Sequence, residues 1–176
     1  MNSKIIIAID AMGGENAPYK NIEGIALFLK KNKKNDVFFN IFGKEEILKN
    51  ELIKNKIPID VYKIFPTSTV VSDGETPLTA IKNSKESSMW HSINSQVISN
   101  SNITLSAGNT GVLFVISRML LKTIETVSKP ALAGLWPNKK NMNVVLDLGA
   151  NVECDEKNLI DFSEMGAALF KALFPN

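Results

Sequence analysis

The sequence predicts an α/β protein: an open, mostly parallel sheet with helices on both faces. Three observations carry that prediction. Short, nearly continuous apolar runs have the length of buried strands, longer stretches with a 3.6-residue apolar period alternate with them, and small glycine-containing turns mark several handovers from run to helix.

Taken in order, Lys4 to Asp10 is the first run, apolar almost throughout, as a strand buried on both faces requires. A glycine turn follows. Pro18 suits the first turn of a helix, where its missing N–H costs nothing, and Ile22, Ile25, Ala26 and Leu29 then mark one helical face. The basic cluster Lys30, Lys31, Lys33 and Lys34 closes that helix, where the dipole favours cations. It reads first as a solvated terminus and second as a patch for a membrane or an acidic partner. The unit then recurs, with Val37 to Phe42 as strand, Gly43 as a break, Lys44 to Asn55 as a helix with Ile47, Leu48 and Leu52 inward, and Ile59 to Ile64 as a third strand.

Pro66 to Pro77, rich in Thr, Ser, Asp and Gly, reads as a long loop of the kind that carries function. Ser87 to Ser99 reads as a helix with Met89, Ile93 and Val97 on one side. Ile103 to Ser106 is a strand leading into a strongly apolar helix marked by Val112, Leu113, Ile116, Met119 and Leu120. Ala131 to Leu135 and Val144 to Asp147 are expected to continue the sheet, and Glu156 to Phe174 to form a helix with Leu159, Phe162, Leu169 and Leu173 on its face. No linker divides the chain, so residues 1–176 read as one α/β portion.

Composition narrows the partners. The net charge is only +2 and Arg118 is the single arginine, so the bidentate readers of nucleic acid are missing and nucleic acid is not expected to bind. The lone Cys154 cannot form an internal disulfide and the N-terminal apolar run is too short for a signal peptide, which points to the cytoplasm. No run reaches the roughly 20 apolar residues that span a bilayer, leaving only peripheral membrane contact.

Three strands end in small polar turns: Asp10 to Gly14, Ser106 to Gly111, and Asp147 to Asn151. Ligands of open α/β sheets bind outside the carboxyl ends of strands, so these turns are expected to share a crevice. Glycine admits close backbone approach, and a helix N-terminus offers free N–H groups and a favourable dipole, so phosphate is the natural guest. None of the turns is a dinucleotide-binding fingerprint or a P-loop.

Read as strings, DAMGGENAP at Asp10 to Pro18, KESSM at Lys85 to Met89, SAGNTG at Ser106 to Gly111 and DLGANVEC at Asp147 to Cys154 resemble the phosphate acyltransferases of bacterial phospholipid synthesis. The motifs keep the family's order and approximate spacing across the chain, and KPALA at Lys129 to Ala133 falls where the family shows an Arg-Pro-Ala-Leu type segment. The resemblance implies a fold similar to phosphate acetyltransferases and the isocitrate dehydrogenase group. It implies transfer of a long-chain acyl group from acyl carrier protein to inorganic phosphate, giving acyl phosphate for phosphatidic acid synthesis. It also implies no metal or organic cofactor, a homodimer, and peripheral association with the membrane.

Departures are mild: Glu15 stands where Asp is common, Val112 where Ala is usual, and Lys82 and Lys129 where Arg is frequent. The family runs to nearly twice this length, so the chain is expected to be its N-terminal half, with further site residues, dimer interface and membrane-binding segment in the half that is absent. Phe170, Leu173 and Phe174 are candidates for surface left uncovered.

Each site residue carries two readings. Asp10 and Asp147 orient substrate or organise their turns, and Asn109 and Thr110 donate to phosphate or a thioester oxyanion, or cap a helix. Lys85, Ser87 and Ser88 meet phosphate or the carrier protein, or serve as an exposed charge and an N-cap. Gly13, Gly14, Asn16, Ser106, Gly108, Gly111, Gly149 and Asn151 complete the expected phosphate-binding set. His91 has no nucleophile partner in sight, and Cys154, flanked by Glu153 and Asp155, reads as an ordinary thiol, so both are left out. The expected chemistry is direct attack of phosphate on the acyl carbonyl. Competing readings are a phosphate acetyltransferase-like enzyme using acyl-coenzyme A, and a non-catalytic remnant that binds acyl carrier protein or a second fragment.

Overall fold

The computed structural model describes residues 4–175 except 33, 35, 73, 77, 78, 80, 81, 83 and 140, so Lys33 and Pro77 of the sequence reading lie outside the described residues. Two compact units form, Met1–Leu121 and Lys122–Asn176.

In the first unit, β1 (Ile5–Asp10), β2 (Val37–Gly43), β3 (Tyr62–Pro66) and β4 (Ile103–Ser106) pair in parallel in the order β3-β2-β1-β4. The helices are α1 (Tyr19–Lys31), α2 (Glu45–Lys54), α3 (Ser88–Val97) and α4 (Thr110–Leu121). The chain winds outward from β1 to β3, then returns to the other side of β1, so the direction of winding reverses between β1 and β4.

Alternation along each strand divides the core in two. Ile7 and Ile9 of β1, with Val37, Phe39 and Ile41 of β2, meet Ile22 and Ile25 of α1 and Leu48 and Leu52 of α2. On the opposite face Ala8 is fully buried, and α3 lies close to it because Ser88, Ser92 and Ser95, one turn apart, are small. Most of the polar groups that this approach buries are paired, the Ser88 hydroxyl being an exception. Asn40 Nδ2 donates to Asn100 O and Ser101 Oγ at 3.0 Å each, Ser95 and Ser101 hydroxyls lie 2.7 Å apart, and Thr104 Oγ1 donates to Ser92 O at 3.1 Å. Met89 and Ile93 of α3 then meet Val112 and Ile116 of α4 over Val71. Helices thus cover both faces, as the sequence predicts.

Some details differ. The third strand starts at Tyr62 because Pro58 leads into a 3-10 turn over Ile59–Val61, which leaves Ile59 exposed. Ile47, Val97 and Met119, expected inward, are exposed at the edges of otherwise buried stripes.

The second unit overturns the expectation of more parallel strands. β5 (Gly134–Pro137) and β6 (Met142–Val145) pair antiparallel. Residues 138–141 link them, with Asn141 N donating to Asn138 Oδ1 at 2.8 Å, whereas a parallel crossover needs a dozen or more residues. Helix α5 (Glu156–Leu173) opens with a capping box between Asp155 and Asn158, and Asn158 Nδ2 also donates to Ser128 Oγ at 2.7 Å. Phe162 is its buried anchor. Leu159 and Leu173, expected on the buried face, are exposed, while Phe170 and Phe174 are half-buried with ring centroids 5.0 Å apart.

Replacing Asn40 tests the polar layer under α3. Asn40→Ala removes one of the two partners of the buried Ser101 hydroxyl and the side-chain donor to the Asn100 carbonyl, and is expected to cost about 1–3 kcal/mol in chemical denaturation. A loss below about 0.5 kcal/mol would place these groups in water instead.

Candidate functional site

The reversal between β1 and β4 is where an open α/β sheet forms its ligand crevice, because loops leaving the two strand ends diverge there. The last residues of the two strands, Asp10 and Ser106, are register partners. Ser106 Oγ donates to Asp10 Oδ2 at 2.7 Å and accepts from Gly108 N at 3.1 Å. One hydroxyl thus joins the carboxylate of the first turn to the backbone of the second.

The two glycine turns touch. A Cβ on Gly13 would collide with the Asp10 carboxylate and approach Gly108 N and Ser106 Oγ to 3.0 Å. A Cβ on Gly108 would meet Met89 Cε at 2.9 Å and Gly13 Cα at 3.3 Å, and Gly14 has φ +96° beside the Ala107 carbonyl. Only side chains without a Cβ allow this approach. Asn21, one turn into α1, clasps the first loop through Nδ2 bonds to Ala11 O at 2.9 Å and Gly13 O at 3.0 Å.

Asp10 is 2% exposed. Burial pushes its carboxyl above the ordinary value of 3.8, against smaller opposing pulls from Ser88, Ser106 and the Met12 and Gly13 backbone N–H groups. Ser88 Oγ acts on this carboxylate but falls short of hydrogen-bond geometry: Ser88 Oγ and Asp10 Oδ1 are both buried without a partner among the described residues. Two orphaned polar atoms beneath a strand-end turn are unusual enough to mark the place.

The other expected residues sort clearly. Asn109 caps α4: its Oδ1 accepts from Val112 N at 3.1 Å, and its Nδ2 donates to Glu75 O at 3.0 Å, holding the long loop against the turn. Thr110 and Gly111 are exposed at the first turn of α4, where helix geometry leaves N–H groups without intrahelical partners. Ser87 is the N-cap of α3, accepting from Trp90 N at 3.1 Å, and Lys85 is exposed. Asn16, exposed with φ 57°, accepts from Lys20 N at the start of α1. His91 faces Glu86 at 3.6 Å on the surface, and Cys154 is exposed.

Asp147, Gly149 and Asn151 belong to the second unit and build a turn of their own. Asp147 accepts from Leu132 N and Asn151 N at 2.8 Å each, and Asn151 Nδ2 donates to Pro130 O at 2.8 Å. Desolvation is the largest single influence on Asp147 and pushes upward. The bonds from Leu132, Asn151 and Ala150 together outweigh it and hold the carboxyl below its usual range.

Sequence reasoning missed Asn21 and Glu75. Asn21 carries only the signal of a polar residue beside a buried isoleucine, and Glu75 acts through its main chain, which no side-chain pattern reports.

What remains is a cradle of glycine backbone and helix N-terminus with a buried carboxyl group beneath it whose pKa is raised by desolvation, an arrangement suited to an anion above.

The profile of the family described as fatty acid synthesis protein matches residues 5–174. The chain is 52% identical over 175 residues to the phosphate acyltransferase of Pelagibacter ubique, covering 99% of this chain and 51% of that protein. It is 41% identical to the phosphate acyltransferase of Anaplasma phagocytophilum (98% of this chain, 50% of that protein) and 36% identical to that of Bradyrhizobium diazoefficiens (99% and 49%). The chain spans about half the length of the curated relatives it matches.

Two outcomes are expected. Gly13→Ala forces atoms apart in a dry contact and should cost about 1–3 kcal/mol of stability, read by thermal or urea unfolding. For Asp10, a raised folded pKa means that its contribution is complete below 3.8 and is lost as pH rises through the raised value. Wild-type stability minus that of Asp10→Asn should therefore fall across that window; a difference that stays constant or grows would contradict a carboxyl pKa raised by burial.

Proposed function

The chain belongs to the family described as fatty acid synthesis protein, and on that premise we propose that it holds inorganic phosphate for acyl transfer, with acyl-acyl carrier protein as the donor. The observation that carries the reading is the contact of Gly13 with Gly108 at the β1/β4 reversal, next to the open first turn of α4. The names of the relatives support transfer of an acyl group to phosphate, and the activity of those proteins belongs to chains about twice as long.

Phosphate monoanion and dianion accept hydrogen bonds from backbone N–H groups, and the first turn of α4, from Thr110, has such groups free of intrahelical partners beside the paired glycine turns. A phosphate oxygen attacks the thioester carbonyl, a C–O bond forms and the C–S bond breaks. The proton of the hydrogen phosphate ends on the departing thiol, so no strong base is required. Donors fixed before reaction stabilise the tetrahedral oxyanion, each worth about 10² to 10³ in rate. In this scheme Asn109 positions the α4 N-terminus and the Glu75 segment, while Asp10 and Ser106 fix the two turns at their spacing. Lys85, exposed before α3, is the candidate contact for an acidic carrier protein.

The test is acyl phosphate formation from palmitoyl-acyl carrier protein by the purified chain, alone and with a polypeptide carrying the other half of the Pelagibacter ubique relative. Negligible turnover alone and recovery with the complement are expected. Absence of acyl phosphate from a stable, mixed complex would overturn the function, and turnover near 1 per second by the chain alone would show that its site is complete. In the active assembly Asn109→Ala, by misplacing the α4 N-terminus, should lower the rate by about 10² or more. As it also removes a cap worth about 1 kcal/mol, a rate loss no larger than that stability loss would restrict Asn109 to capping.

A further inference from the structure

The Asp10 carboxylate lies against both glycine turns. A Cβ added to Gly13 would collide with that carboxylate and at the same time come within 3.0 Å of Gly108 N, so little more than a methyl group separates the carboxylate from the second turn. Two hydrogen bonds span the gap, from Gly108 N to Ser106 Oγ at 3.1 Å and from Ser106 Oγ to Asp10 Oδ2 at 2.7 Å. Thr110, where α4 opens with N–H groups free of intrahelical partners, is only two residues beyond Gly108, at most about 7 Å of chain. An anion held by those groups therefore stands on the order of 10 Å from the carboxylate.

The groups that act on the Asp10 carboxyl are neutral: Ser88 of α3, Ser106 of β4, and the Met12 and Gly13 N–H groups of its own turn. Lys20 of α1 lines one cavity with Asp10, but its exposed ammonium faces Glu15 at 3.5 Å. On α3 and just before it, His91 and Glu86 face each other at 3.6 Å on the surface and Lys85 is exposed, and Arg118 lies in the last turn of α4. Ser106 serves Oδ2 alone. In a residue 2% exposed, Oδ1 has no partner among the described residues, and the buried Ser88 hydroxyl that acts on the same carboxyl has none either. A proton on Oδ1 would give that oxygen a donor and Ser88 Oγ a bond to accept.

We propose that an oxyanion bound at the paired turns draws a proton onto Asp10, so that the ligand's negative charge takes the place of the carboxylate's. The inference rests on the reading of this site as a holder of phosphate and adds what that holding requires. The proton comes from the buffer and ends on a carboxylate oxygen, and no other bond forms or breaks. Two unit charges about 10 Å apart at an effective dielectric constant of about 20 alter each other's equilibria roughly tenfold, and a dianion does so more strongly. Burial already biases the carboxyl in the same direction. A bound anion thus raises the pH at which Asp10 ionises. Binding is strongest below the titration midpoint of the free protein, weakens as the pH rises through it, and levels off above the midpoint of the complex.

The test titrates the whole isotopically labelled chain with sodium sulfate, a dianion throughout, at low ionic strength from about pH 5 to about pH 8. The Asp10 Cγ shift reports protonation, and the Thr110 and Gly111 amides report occupancy. Saturating sulfate should move the Asp10 midpoint upward by about one pH unit or more, and sulfate affinity should fall about tenfold from the acidic to the alkaline end. Asp10→Asn keeps the shape and drops the charge, so its affinity should be independent of pH and close to that of the wild type at the acidic end. The Cγ titration needs no variant and decides the matter if Asp10→Asn does not fold. Sulfate that saturates the Thr110 and Gly111 amides while the Asp10 midpoint stays in place would overturn the coupling and leave the phosphate site standing. So would a wild-type pH dependence that Asp10→Asn reproduces. Sulfate that never reaches those amides would sink the phosphate site itself, and the coupling with it.

Discussion

The hydrogen bond from Ser106 to Asp10 is the contact on which the first unit's site depends. It ties the carboxyl ends of β1 and β4 together at the point where the winding of the sheet reverses, and it does so away from water. Because those strand ends are register partners, the turns that follow leave from the same spot and approach closely. A Cβ on Gly13 would collide with the Asp10 carboxylate, and one on Gly108 would press on Gly13 Cα at 3.3 Å, so glycine at both positions eases the approach beside the Asp10–Ser106 pair. The carboxylate carries the cost: burial raises its pKa, and one of its oxygens and the neighbouring Ser88 hydroxyl stay unpaired.

The serine-rich face of α3 supports the same place from below. Ser88, Ser92 and Ser95 let the helix settle onto Ala8, which brings Ser88 under Asp10 and leaves Ser87 to cap the helix. The sequence string from Lys85 to Met89 therefore contributes through packing, with Ser88 alone reaching the carboxylate and Lys85 remaining at the surface.

Much of this was legible in the sequence. The strands β1, β2 and β4 and helices α1 to α5 follow apolar runs and 3.6-residue periods, signals that survive because both faces of the sheet are covered. Asp10, the paired glycines and Ser106 stood out as strand-end turns. What was not legible depends on partners distant in sequence: the Asn21 clasp, the Glu75 carbonyl that binds Asn109, and the contact between two glycines 95 positions apart, from Gly13 to Gly108. The misread hairpin in the second unit has a local cause. Ala131 to Leu135 and Val144 to Asp147 carry strand-forming residues, but the short stretch between them cannot hold a crossover helix, and that length was a readable warning. Edge residues such as Val97 and Leu159 show that periodicity locates a face and leaves its width to the neighbours.

The central claim is that Asp10 and Ser106 hold two glycine turns as one anion cradle. The most direct measurement is the amide spectrum of the labelled chain during titration with inorganic phosphate, for the wild type and for Ser106→Ala. Saturable shifts at Gly13, Gly14, Gly108 and Thr110 that share one dissociation constant, and that weaken together by about tenfold in the variant, are the predicted result; a tenfold change corresponds to about 1.4 kcal/mol, the size of one buried hydrogen bond. Shifts that follow separate binding curves in the two turns, or that map to the basic end of α1 at Lys30 and Lys31, would contradict it.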